Sequence, residues 1–149
     1  MDKKQRSNPV LTILIAEDDG LCTMLLQRIL KNENHNIFYA ENGKEAVDLV
    51  MHHHGINLVL MDIKMPIMNG YEATKLIKQH RPDLPIIAQS AFTSKENKLK
   101  AKEAGCDAFI SKPINKSELL ELMAEVLERY DCRQDAHDPA ALAFNATNQ

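Results

Sequence analysis

The side chains able to do chemistry in this chain fall where apolar runs end. Glu17, Asp18 and Asp19 follow the run 10–16, Asp62 follows 57–61, Ser90 follows 86–89, and Lys112-Pro113 come just after 108–110. In an open parallel sheet, ligands bind outside the carboxyl ends of the strands. These runs therefore aim several carboxylates, one hydroxyl and one ammonium at a common edge. Gathering carboxylates in one place is costly unless a cation joins them. The donors are few, hard oxygens, which suit Mg2+, or Mn2+ in its place. A carboxylate is also a competent nucleophile toward phosphorus. A divalent ion would neutralise charge on the transferring oxygens, with Lys112 paired to the same group and Ser90 donating a hydrogen bond. The constellation reads as a site that makes an aspartyl phosphate.

Those residues need five strands to position them. The runs 10–16, 57–61 and 86–89 are rich in Ile, Leu and Val without strict alternation, as strands covered on both faces should be. The run 36–40, Asn-Ile-Phe-Tyr-Ala, is more mixed and fits an edge strand. The fifth is 108–110. Amphipathic stretches lie between. Leu21, Leu25 and Ile29, widened by Leu26 and Leu30, predict a buried stripe on the first helix. Leu119, Met123, Val126, Leu127 and Tyr130 predict one on the last, over 117–130. Thr93 with Glu96 predicts a capping box at the fourth helix, and Asn115 with Glu118 one at the fifth. Gly55 and Gly105 stand where left-handed helix ends are wanted, and Asn69-Gly70 can open the third helix after a turn at Pro66. Strand-helix alternation repeated five times means an α/β fold, a parallel sheet with helices on both faces and right-handed crossovers.

The 149 residues suffice for one domain, since compact domains mostly run ~100–150 residues. The strand-helix unit occupies 10–131. Residues 1–9 form a polar N-terminal segment, and 132–149, polar and unpatterned, read as a flexible tail. Hydrophobic residues at 44% allow a core, which Leu, Ile, Val, Met and Ala must fill because no Trp is present. A net charge of −3 leaves no basic excess for nucleic acid. Cys22, Cys106 and Cys132 show no ligand or disulfide spacing, and no apolar run reaches the ~18 residues of a membrane span. Free thiols and a polar N-terminus point to a cytoplasmic chain without membrane insertion.

The segments Ile13-Leu-Ile-Ala-Glu-Asp-Asp19, Leu58-Val-Leu-Met-Asp-Ile-Lys-Met-Pro66, Asn69-Gly70, Ile87-Ala-Gln-Ser-Ala91 and Phe109-Ile-Ser-Lys-Pro113 resemble the response regulator receiver domain of two-component signalling. The resemblance spans nearly all of 10–131. It implies a (βα)5 flavodoxin-like three-layer sandwich with strand order 2-1-3-4-5. It also implies phosphoryl transfer from a histidine kinase or a histidine phosphotransfer protein, with a conformational switch as output. By the same resemblance Asp62 is the phosphoacceptor. Glu17 and Asp18 are the acidic metal pair, Asp18 in direct contact, and the backbone carbonyl of Lys64 is a third ligand. Ser90 and Phe109 are the switch pair, Lys112 the lysine of the site, and Lys112-Pro113 a cis peptide. Glu17 stands where Asp is commoner, as in many receivers fused to hybrid sensor kinases. The resemblance also makes the face of the fourth helix, fifth strand and fifth helix a partner or homodimer contact. It implies only self-phosphorylation and autodephosphorylation for the domain itself, whereas the parent chain of a receiver within a hybrid histidine kinase would be a kinase.

Plainer readings compete at single positions. Asp19 suits a helix cap. Ser90 alone would be a loop residue, Lys112 alone a solvated lysine, and Phe109 alone core. His52-His53-His54 point in different directions on a helix and make a poor metal site. His35 and His80 default to the surface, and Met65 and Met68 to loop packing. The fourth helix, with Lys95, Lys98, Lys100 and Lys102, is either a solvated face or a weakly anchored, movable element. Lys64 and Phe92, two residues after Asp62 and Ser90, are bulky enough to hinder an in-line water. A haloacid-dehalogenase-type phosphatase would need a second acid at position 64 and a cap region. A flavodoxin-like nucleotide-binding module would need a phosphate loop where Glu17-Asp18-Asp19 repel phosphate.

Overall fold

The computed structural model describes residues 10–137, with side chains through Asp131. The chain runs β1 (Thr12–Ala16), α1 (Gly20–Lys31), β2 (Asn36–Ala40), α2 (Gly43–His52), β3 (Leu58–Asp62), α3 (Gly70–His80), β4 (Ile86–Ser90), α4 (Lys95–Ala104), β5 (Ala108–Ser111) and α5 (Lys116–His137). The strands form one parallel sheet in the order β2-β1-β3-β4-β5. This is the three-layer flavodoxin-like architecture expected above.

Side-chain alternation along β1 assigns the two faces. Ile13 and Ile15 join Leu26, Ile29 and Leu30 of α1 with Leu119, Met123 and Val126 of α5. Leu14 and Ala16 point the other way, to Ala46 and Val50 of α2 and Ala73 and Ile77 of α3. Both faces of β3 and β4 are covered, so neither strand alternates in the sequence, and every residue of both is buried. β2, at the edge, buries only Ala40.

The α1 stripe is narrower than expected. Leu26, Ile29 and Leu30 are buried, but Leu21 is 78% and Leu25 41% exposed. Each i+4 step drifts about 40° around a helix, so two steps back from Ile29 carry Leu21 well off the core face. The α4 cap also differs: Ser94, not Thr93, takes the extended cap conformation and accepts from the Asn97 N–H. Asn115 does accept from the Glu118 N–H, at 3.0 Å, and Asn69 caps α3. Gly105 ends α4 at φ +111°, whereas α2 ends through His53 with negative φ and Gly55 is not left-handed. α5 continues to His137, so the start of the expected tail is helical. The segment 1–9 and the rest of that tail lie outside the described residues.

Two glycines let the loop after β3 close on the sheet edge. A Cβ on Gly70 would strike the backbone carbonyl of Asp62, and one on Gly43 the carbonyl of Met68. Gly70 N–H instead donates to Ile63 O at 2.9 Å, and Gly43 N–H to Met68 O at 3.0 Å. Met65 is buried and Met68 packs against the same core, which pins the loop from beneath. α4 is attached lightly. Only Ala101 and Ala104 are buried on it, and the Tyr71 hydroxyl donates to Asn97 O at 3.3 Å.

Candidate functional site

Parallel register brings the chemistry-bearing residues together. Ala16 of β1 lies opposite Met61 of β3, so Glu17 and Asp62 leave the sheet side by side. Asp62 lies opposite Gln89 of β4, and Ser90 opposite Ser111 of β5, one residue before Lys112. The Lys112-Pro113 peptide is cis.

Glu17 is the most deeply held acid, its side chain fully buried. Its Oε1 accepts from Asp19 N–H at 3.1 Å. Its Oε2 accepts from Lys112 Nζ at 2.7 Å and from Gln89 Nε2 at 3.3 Å. Asp62 is buried too, its Oδ1 accepting from Ile63 N–H at 3.0 Å and lying 3.2 Å from Lys112 Nζ. Asp18 is exposed. Carboxylate oxygens of Glu17, Asp18 and Asp62 lie within 4.8 Å of one another. Asp19 stands outside this group and caps α1, accepting from Leu21 and Cys22 N–H groups.

The three acids outnumber their one ammonium, and this shapes the protonation. Burial, and then the charge of Glu17, push Asp62 up from 3.8 to about 7, against the opposing pull of Lys112. For Lys112, burial works against the charge, but the hydrogen bond to Glu17 and the fields of both acids outweigh it and raise its pKa above the ordinary lysine value. A site of hard oxygens with unbalanced negative charge fits a small divalent cation.

The pH dependence follows with a definite sign. Below about pH 4 both the folded and unfolded chain keep the Asp62 proton. Between about 4 and 7 the unfolded chain has lost it and the folded chain holds it. Stability therefore falls as pH rises through this window and levels off above it. Asp62→Asn removes the liability, so its thermal midpoint in EDTA should exceed wild type by more at pH 8 than at pH 4.5. A gap independent of pH would contradict the raised Asp62 pKa.

A cleft of about 720 Å³ opens beside the acids, lined by Asp18, Lys64, Asn69, Ser90 and Phe92 among others. Ser90 is buried beneath it, its hydroxyl accepting from Phe92 N–H at 3.0 Å. Lys64 Nζ stands 3.8 Å from the Phe92 ring centroid, a cation–π contact across the mouth. Phe109 lies outside that lining. It is half-buried against Ile63, Ala88 and Ala101, with Lys98 Nζ 6.0 Å from its ring.

Among the described residues, no histidine joins this acidic grouping. His35, expected at the surface, is half-buried, and its Nδ1 accepts from Leu11 N–H at 3.1 Å. His52 Nδ1 hydrogen-bonds Asp48 O at 2.7 Å and His53 packs on Phe38. Among the described residues, Glu17, Asp18 and Asp62 are the one grouping of acids, cysteines and histidines close enough to share a metal.

Two features escaped the sequence reading. Gln89 contacts Glu17; its signal was a polar residue inside the apolar run of β4, and nothing in the spacing named its partner. The Lys64–Phe92 contact joins two loops, and no local pattern predicts it.

A curated relative, the polar-differentiation response regulator DivK of Brucella ovis, is 33% identical over 118 residues, covering 78% of this chain and 95% of DivK. A CheY-like response regulator receiver domain protein from Methanospirillum hungatei has a solved structure that superimposes with a TM-score of 0.78 at 31% identity, over 84% of this chain and 99% of that one. The receiver domain of Saccharomyces cerevisiae Ssk1, crystallised with the histidine phosphotransfer protein Ypd1, gives 0.71 at 29% identity, over 85% and 92%. The receiver domain of a Pseudomonas aeruginosa sensor histidine kinase, with magnesium coordinated in its active-site cleft, shares the fold at TM-score 0.74 and 23% identity, over 80% and 99%. No helix among the described residues is long and apolar enough to cross a membrane. The family model of the response regulator receiver domain matches residues 13–124, and the chain belongs to that family.

Proposed function

We propose that the protein is a phosphorylation-activated signalling switch in which Asp62 accepts a phosphoryl group from a phosphohistidine on a histidine kinase or phosphotransfer protein. The observation that carries this reading is the contact of Asp62 with Lys112 within a cluster that also holds the acids Glu17 and Asp18, the last of which lines the cleft. The relatives support it, one of them being bound to a histidine phosphotransfer protein.

An Asp62 oxygen attacks phosphorus in line. The new O–P bond forms as the P–N bond to the donor imidazole breaks, the electron pair staying with the imidazole nitrogen. Attack needs the ionised carboxylate, so Asp62 must first give up its proton. Asp18, Asp62 and the Lys64 carbonyl would hold Mg2+ directly, with Glu17 behind them. When bound, that ion supplies positive charge that favours ionised Asp62 and neutralises the transferring oxygens. Lys112 and Ser90 hold the oxygens that arrive. Ser90 turning to them releases the Phe92 N–H and opens space that Phe109 can fill, and the lightly attached α4 shifts with it. The α4–β5–α5 face then presents the altered surface to partners or to a second copy. The signal is read in the cytoplasm. A phosphatase of the haloacid-dehalogenase class is disfavoured by Lys64 at the second-acid position, and a nucleotide module by the acids after β1.

Incubation with acetyl phosphate and Mg2+ should raise the intact mass by one phosphoryl group, removable by hydroxylamine, and EDTA should prevent it. An unchanged mass with both acetyl phosphate and a phosphorylated histidine donor would sink the proposal.

The Lys64–Phe92 contact also sets a lifetime. Both residues line the cleft, where their bulk would hinder the in-line approach of a hydrolytic water. Lys64→Asn with Phe92→Glu should shorten the half-life of the phosphorylated protein about tenfold, a barrier change of ~1.4 kcal/mol. Equal decay of the two proteins, followed by mass spectrometry, would count against this role.

A further inference from the structure

Gln89 is a buried amide, 1% exposed, inside a strand otherwise of Ile, Ala and a terminal Ser. An apolar side chain would fill such a place at no polar cost. Its Nε2 instead donates to Glu17 Oε2 at 3.3 Å, the same oxygen that Lys112 Nζ reaches at 2.7 Å. One buried oxygen thus has two side-chain donors of different kinds. Lys112 is also 3.2 Å from Asp62 and carries a mobile charge that the proposed reaction draws toward the incoming phosphoryl oxygens. Gln89 sits on a central strand and has no such second task.

We propose that Gln89 is a positioning residue that keeps Glu17 satisfied and oriented when Lys112 leaves it for the phosphoryl group. The inference rests on the functional reading above. Without Gln89, movement of Lys112 strands a fully buried carboxylate oxygen, and that cost falls on the transition state rather than on the resting protein. Outer partners of a ligand carboxylate hold it in the geometry the site needs, and their loss commonly weakens such sites ~10–100-fold. The same donor matters in the metal-free protein, where the Glu17 carboxylate accepts from Asp19 N–H, Lys112 and Gln89 and faces the acids Asp18 and Asp62.

The test is a double-mutant cycle with two readouts. Gln89→Met keeps the volume and removes the donor; Gln89→Leu replaces it if the Met variant fails to fold. Each is combined with Glu17→Gln. At saturating Mg2+ and acetyl phosphate, Gln89→Met should lower the maximal rate of phosphoryl uptake about tenfold, as expected for a hydrogen bond to a charged group. In the Glu17→Gln background the same change should cost less than about twofold. In EDTA, the thermal midpoint should fall more for Gln89→Met in the wild-type background than beside Glu17→Gln. Equal losses in both backgrounds would make Gln89 a packing residue only, and an unchanged maximal rate would remove its link to Lys112. Failure of wild type itself to take up phosphate defeats the functional reading and this proposal together, so the two failures are told apart.

Discussion

Asp62→Asn should take up no phosphoryl group from acetyl phosphate under conditions that label the wild-type protein. The amide removes the nucleophile: its oxygen carries no negative charge and its nitrogen lone pair is delocalised. Little else at the site changes. The side chain keeps its size, and its oxygen can still accept from Ile63 N–H and Lys112 Nζ. The variant is also expected to fold at least as well. Asp62 is pushed up to about 7 by burial and by Glu17, so near neutral pH its ionisation weighs against the folded state. Loss of labelling in a protein with an equal or higher thermal midpoint therefore reports chemistry, not unfolding. Labelling of the Asn variant at the wild-type level would move the acceptor elsewhere. Labelling at about a tenth of that level would point to a secondary carboxylate, and Asp18, exposed and within 4.8 Å, would be the first to replace.

How much of this was legible beforehand depends on the kind of interaction. The strands could be read because β1, β3 and β4 are buried on both faces, which leaves unbroken apolar runs. The residues after them could be read as a site because strand ends in a parallel sheet share one edge. What the sequence does not carry is the pairing across that edge. Gln89 and Lys112 lie 72 and 95 positions from Glu17 along the chain, and only the register of β1 with β3, β3 with β4 and β4 with β5 brings them into contact. For that reason no local pattern marks Gln89 as a partner of Glu17. Leu21 and Leu25 are exposed despite their spacing for another reason: a four-residue repeat reveals that a helix has an apolar side but not how much of it the sheet covers. α5 outran its expected end because its polar final turns follow the helix axis without contributing to the stripe that marked it. At Thr93 and Ser94 two adjacent hydroxyls offered the same cap, and the backbone settled on the second.

Lys112→Ala should lower the rate of phosphoryl uptake by about 10²–10³ and destabilise the metal-free protein at the same time. The rate loss is what removal of one fixed donor from a transferring oxyanion costs. The stability loss has a separate origin. Lys112 Nζ lies 2.7 Å from Glu17 and 3.2 Å from Asp62, and its deletion leaves two neighbouring buried carboxylates facing each other. Breaking a fully buried pair costs ~3–5 kcal/mol. The Lys112 side chain keeps 16% exposure and water can reach the gap, so about 2–3 kcal/mol is expected here. The protein will meet part of that cost by holding the Asp62 proton to a higher pH, since the group that opposed its raised pKa is gone. Added Mg2+ separates the two effects. A cation among Glu17, Asp18 and Asp62 replaces the lost positive charge, so Mg2+ should raise the thermal midpoint of Lys112→Ala more than that of wild type. It should leave the uptake rate low, because an ion held on that side of the acids cannot reproduce the donor that lay between Glu17 and Asp62. If Mg2+ restored the rate along with the stability, Lys112 would be a counter-ion for the acids and not a ligand of the phosphoryl group. An uptake rate within about threefold of wild type, less than ~0.7 kcal/mol in the barrier, would exclude it from the transfer step altogether.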